Sequence, residues 1–173
     1  AFANSRRLTR LDEGLEGLPL AVHGSYQREE ILAALGHAEL TRPPSQFREG
    51  VLKSTVNGRT VDAFFVTLNK SEAEYSPSTM YRDYPISPTL FHWESQSTTS
   101  VASETGQRYI TGASTVLLFV RRERKNEFGT APYTYLGEGK YVSHTGDRPI
   151  AITWKLASPM PPDLYSETAL AIG

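Results

Sequence analysis

Gly50-Val51-Leu52-Lys53-Ser54-Thr55-Val56, then Asn57-Gly58, then Arg59-Thr60-Val61-Asp62-Ala63-Phe64-Phe65-Val66-Thr67-Leu68 is the stretch whose reading decides the fold. Asn-Gly accepts positive φ at both positions of a two-residue turn, so between two β-rich runs it predicts a hairpin. The second run is apolar on both faces from Val61 to Leu68, which places it centrally in a sheet covered on two sides.

Upstream, Arg42-Pro43-Pro44 reads as an extended connector. Ser25 is the expected N-cap of a helix carrying Ile31, Leu32 and Leu35 at helical spacing and stopped by Gly36. Glu29 and Glu30 sit near the positive end of its dipole and are read as structural. Residues 1–24 have no sustained period and are expected to be an arm or linker, with a short helix around Leu8 to Leu15. The chain starts at Ala1 rather than Met, as an excised domain would.

Downstream, Thr89 to Ser95 predicts a strand with Leu90, His92 and Glu94 on one face and Phe91, Trp93 and Ser95 on the other. Gln96 to Gly106 is Ser- and Thr-rich and is expected to be a loop, followed by a brief ordered segment at Arg108-Tyr109-Ile110. Val116 to Val120 predicts a buried strand. Tyr133 to Gly137 and Lys140 to His144 predict strands flanking a Gly-Glu-Gly turn. Gly146-Asp147-Arg148-Pro149 turns into Ile150 to Leu156, with Ile150, Ile152, Trp154 and Leu156 sharing a face. The tail beyond Pro159 is expected to be extended. Roughly six strands with one or two helices near the start predict an α+β domain built on a strongly bent, mostly antiparallel sheet or barrel. The division expected is 1–24 arm or linker, 25–161 domain, 162–173 tail.

The 173 residues suffice for one domain with a hydrophobic core. Lysine and arginine number 18 against 19 acidic residues, so any binding to nucleic acid must be local rather than driven by global charge. The basic clusters are Arg6, Arg7 and Arg10, and Arg121, Arg122, Arg124 and Lys125; clusters of this size are ordinarily solvated strand ends. The absence of cysteine agrees with a cytoplasmic protein, and there is no apolar run of membrane-spanning length.

Tyr75 to Gln96 is chemically the most unusual stretch. It mixes Tyr75, Tyr81, Tyr84, Phe91 and Trp93 with Arg82, Asp83, His92, Glu94 and Gln96, and Pro77, Pro85 and Pro88 brace it. Flat rings among planar hydrogen-bonding groups fit a core strand poorly, because each buried polar group needs a partner. One reading makes these rings partly core and Arg82–Asp83 a structural pair. The other is a nucleotide reader, with rings to stack on bases and polar groups to bond base edges and phosphates. A third, from a different class, is a protein-docking surface rich in Tyr and Trp.

The four histidines are not at ligand spacing, and Walker-type, dinucleotide-binding and nucleophile-elbow patterns are absent. A restriction-type nuclease would need a second carboxylate where Asp62 is followed by Asn69-Lys70, and that match fails. Asp83 and His92 could make an acid and base pair, but no nucleophile marks itself for them; backbone amides or Arg82 are the expected partners of Asp83. The expectation is therefore no catalytic residue, metal or cofactor.

Phe65 to Ser71, Tyr75-Ser76-Pro77, Met80 to Tyr84, Ile86-Ser87-Pro88 and Leu90 to Gln96 resemble a bacterial domain of unknown function. That domain lies near the C-terminus of restriction-like helicase proteins and sometimes beside nuclease domains. Arg108 to Ile110, Leu117 to Arg121, Ala131 to Gly137, Tyr141 to His144 and Arg148-Pro149 continue the likeness, which spans about Tyr26 to Pro161. The resemblance implies a non-catalytic targeting module with DNA and a helicase or nuclease core as partners, and a bent barrel is similar by analogy to SRA and PUA-type readers of modified bases. Tyr81, Arg82, Tyr84, His92, Trp93 and Gln96 are the expected base or sugar contacts, and Asn69, Lys70 and Ser76 the expected phosphate contacts. A docking or regulatory domain for the same core is the alternative.

Overall fold

The computed structural model describes residues 15, 17–36, 50–68 and 83–165. In chain order these form β1 (Ser25–Tyr26), α1 (Arg28–Ala34), β2 (Val51–Val56), β3 (Arg59–Thr67), β4 (Tyr84–Ser87), β5 (Leu90–Glu94) and α2 (Glu104–Thr111). Then follow β6 (Thr115–Arg121), β7 (Lys125–Asn126), β8 (Gly129–Thr130), β9 (Tyr133–Thr145) and β10 (Ala151–Leu156). The expected hairpin is β2–β3, with Val56 opposite Arg59. Its turn residues Asn57 and Gly58 have φ of 50° and 77°, the left-handed values such a turn requires.

The main sheet runs β2-β3-β6-β9-β10-β5-β4, with β1 added on β9, and it is open at β2 and β4. Its pairings are antiparallel except β3 with β6. Strongly bent describes it well. Phe64 on β3 and Trp93 on β5 are four steps apart along the strand order, about 19 Å across a flat sheet, yet their rings stack at 4.1 Å.

Because successive side chains on a strand alternate, the curl creates two cores. Phe64, Val66, Leu118, Val120, Trp93 and Trp154 fill the inside. Val61, Ala63, Phe65, Leu117 and Phe119 face outward and are covered by Ile31, Leu32 and Leu35 of α1 and by Leu15 and Leu20 from the preceding segment. This is why β3 is apolar on both faces. Each fully buried ring or branched side chain contributes about 1.5–3 kcal/mol.

Several local expectations are corrected. Gly137-Glu138-Gly139 is no turn; β9 runs straight through it. Gly137 (φ 89°) falls at the register shift between Leu118 and Phe119, and Gly139 lies where a Cβ would approach Leu118 and Trp154 to 3.1 and 3.2 Å. Ser25 belongs to β1, and the helix start is Gln27, whose N–H donates to Glu30 Oε1 at 2.9 Å. The Ser/Thr-rich stretch taken as a loop up to Gly106 ends in α2, so the second helix lies mid-chain. The tail is not simply extended: Met160 is buried, its N–H donates to Pro88 O at 2.7 Å, and residues 162–165 are helical. The expected helix around Leu8 to Leu15 lies, but for Leu15, outside the described residues.

Candidate nucleic-acid interface

α2 closes one end of the curl, and its local sequence explains how. The Ser103 hydroxyl caps it by accepting from the Gly106 N–H at 3.0 Å, and Gly112 at φ 76° ends it. The helix is held against the preceding loop by Gln107 Nε2 donating to Val101 O at 2.8 Å. That loop is pinned in turn by the Val101 N–H donating to Asp147 Oδ1 at 2.7 Å.

Docked this way, α2 delivers Tyr109 into the inner core, edge-on to Phe64 and Trp93. It also carries Arg108 to Asp62. Asp62 is 0% exposed on β3, and Arg108 donates to both its oxygens, Nε to Oδ2 at 2.8 Å and Nη2 to Oδ1 at 3.0 Å. A carboxylate taken out of water needs such a forked partner. The Asp62 hydrogen bond raises the Arg108 pKa, so the guanidinium is held protonated. Burial, reinforced by the nearby Asp62 charge, pushes the Tyr109 phenol above its ordinary range.

Above this pair lies a cleft of about 390 Å³, bounded by Lys53 on β2, Trp93 and Gln96 at the end of β5, and Thr99, Ser103 and Arg108 around α2. Its size is that of a small-ligand site. Trp93 and Tyr109 line it together with threonine hydroxyls, an amide and two cations, a set able to bond the edge of a flat polar group and meet a phosphate.

Of the residues picked from sequence, Trp93 and Gln96 line this cleft. Gln96 is exposed, whereas Trp93 is 5% exposed and gives most of its ring to the core. Tyr84 and His92 do not join them. They stack on each other at 4.5 Å on the opposite face of β4 and β5, with His92 Nε2 3.7 Å from Glu94 Oε1. Asp83, read as bonded to backbone or Arg82, accepts from the Glu94 N–H at 2.9 Å. Asn69, Lys70, Ser76, Tyr81 and Arg82 lie outside the described residues. The alternation of Phe91, Trp93 and Ser95 already signalled that the Trp93 ring faces inward. Lys53 and Arg108 were missed. The available signal was Asp62 itself, a lone carboxylate in an apolar strand that demands a cation.

A second cavity, about 550 Å³, lies at the root of the β7–β8 ribbon among His23, Arg121, Arg122, Asn126, Asp163 and Leu164. Arg121 is structural in part: it donates to Thr67 Oγ1 at 3.0 Å and lies 4.4 Å over the Tyr133 ring. Burial lowers the His23 pKa, opposed by a hydrogen bond to the Pro159 backbone. Among the described residues no three His, Asp or Glu side chains converge as metal ligands, and no helix is long and apolar enough to cross a membrane.

A family model described as a domain of unknown function (DUF3427) matches residues 20–168. No curated protein matches the chain. Among solved structures, the crystal structure of Arabidopsis thaliana SUVH6 in complex with SAM is similar, with a TM-score of 0.49 and 14% identity over 98% of this chain. The chain spans only 34% of that protein's length.

Proposed function

The chain belongs to the DUF3427 family of domains of unknown function, and from that premise we propose that it is a non-catalytic DNA-binding module. In this reading it recognises modified DNA and directs a restriction or defence helicase or nuclease to it. The observation that carries the proposal is the cleft beside Arg108, where Lys53, Gln96, Thr98 and Thr99 line one hollow with Trp93 and Tyr109. Gln96 would bond a base edge and Lys53 a phosphate, while Asp62 fixes the plane of Arg108. The stacked Tyr84–His92 pair offers a second flat surface. Tyr81 and Arg82 are assigned to base or sugar, and Asn69, Lys70 and Ser76 to phosphates. With a net charge of −1, affinity should rest on few phosphates and be only moderately salt-dependent.

Gel shifts at low salt test this, using plain, methylated, hydroxymethylated and sulfur-substituted duplexes. The expected result is a shift favouring one modified duplex, weakened by Gln96→Ala and by Arg82→Ala. A wild-type protein that shifts none of them would reject the proposal.

A further inference from the structure

The β7–β8 ribbon forms a small sheet of its own, apart from the main one, pairing Lys125 with Thr130 and Asn126 with Gly129. At its tip Phe128 is 89% exposed, more than the other exposed large apolar side chains of the described residues, Ile86 and Val142. The tip is ordered nonetheless: the Phe128 N–H donates to Asn126 Oδ1 at 2.9 Å, and the Ala131 N–H to Arg124 O at 3.0 Å closes the base. Arg121 at the ribbon's root is committed to Thr67, the Ala131 carbonyl and the Tyr133 ring, but between residues 122 and 128 stand three cations, Arg122, Arg124 and Lys125, against Glu123 and Glu127. This is a local excess of one positive charge on a chain whose total is −1.

A ring held out in water on a short, braced finger with cations on its leading strand suits a partner with an apolar interior flanked by anionic groups. We propose that Phe128 is a wedge that enters duplex DNA and stacks between neighbouring base pairs, while Arg124 and Lys125, on the strand that leads to the tip, meet the phosphates beside it. The inference rests on the DNA-binding reading above and names a surface that the cleft does not include. The two surfaces have different tasks: the cleft discriminates, and the ribbon opens the stack.

The test uses the full chain and duplexes carrying 2-aminopurine, plain or with a modified cytosine. Anisotropy reports binding, and 2-aminopurine emission reports unstacking. The expected result is that wild type binds and raises the emission. Phe128→Ala should bind about tenfold more weakly without the rise, and Phe128→Trp should restore both. If Phe128→Ala binds and unstacks like wild type, the wedge is overturned and the DNA reading stands. If wild type binds no duplex, the DNA reading fails and the wedge with it. Phe128-dependent capture by anionic lipid vesicles, with no effect of the ring on DNA, would overturn the wedge in favour of a membrane role.

Discussion

The α2 end of the curl and the β7–β8 ribbon handle their least comfortable side chains in opposite ways. At α2 a carboxylate sits in the core, and both its oxygens are taken by one guanidinium. At the ribbon an aromatic ring stands in water, and hydrogen bonds order the backbone beneath it without covering it. The first arrangement stiffens: Arg108 cannot turn without stranding Asp62, so the cleft wall it forms is fixed before a ligand arrives. The second leaves apolar surface for a partner to bury. On the proposed reading, discrimination would use the former and insertion the latter, and one small domain can keep both if they do not share residues.

Removing the buried carboxylate should have the largest effect. Asp62→Ala leaves the Arg108 guanidinium, 14% exposed, without its partner and opens a void beside Tyr109. Breaking such a pair costs about 3–5 kcal/mol, and the water that reaches the Arg108 guanidinium places the loss at the lower end. Denaturant unfolding measures it, and a loss under about 1 kcal/mol would mean that the pair does not organise this end of the fold. Next comes Gly106→Ala. A Cβ there would lie 2.1 Å from the Ser100 carbonyl oxygen and 3.0 Å from Ile150 Cδ1, so α2 must shift off its seat. Overpacking of this kind costs about 1–3 kcal/mol, and contact with backbone places the change at the upper end. A crystal structure of the variant showing α2 unmoved would contradict that account.

What the chain discloses about these two places differs for physical reasons. Asn57-Gly58, Val116 to Val120 and Ile150 to Leu156 could be read because turn chemistry, an unbroken apolar run and alternation each act over a few residues. Asp62–Arg108 could not, since its members are 46 residues apart and only the closed curl brings them together. The parallel pairing of β3 with β6 was hidden in the same way, because the chain passes through β4, β5 and α2 between them. Gly137 and Gly139 misled because glycine marks a turn, a bulge and close packing alike. α2 was obscured by the Ser and Thr before it, although Ser103 and Gly112 bracket it as cap and stop. The polar-aromatic stretch was legible as composition but not as one surface, since β5 sends Trp93 and His92 to opposite faces.

Alkaline pH sharpens the comparison more gently. Burial raises the Tyr109 pKa in the fold above its ordinary 10.0, so the folded state holds that proton more tightly than the unfolded chain. Its contribution is complete below about pH 10 and declines as pH rises toward the folded value. The melting temperature of wild type should therefore fall more steeply above about pH 10 than that of Tyr109→Phe, which has no proton to lose there. Parallel curves for the two proteins would show that Tyr109 does not couple the core to pH.

The smallest effect belongs to the ribbon, and its smallness is the point. Phe128→Ala removes a ring that is 89% exposed and leaves the Asn126 Oδ1 to Phe128 N–H bond and the Lys125–Thr130 pairing untouched. Surface changes of this kind stay within about 0.5 kcal/mol, so thermal and denaturant curves should superimpose on wild type even where DNA binding falls. Asn126→Ala takes away the acceptor that orders the tip and should raise amide exchange locally at residues 126–130, again without moving the global transition. A Phe128→Ala variant destabilised by more than about 1 kcal/mol would show that the ring is packed by the protein itself. It could not then be held ready for a partner, and the contrast with Asp62 would dissolve.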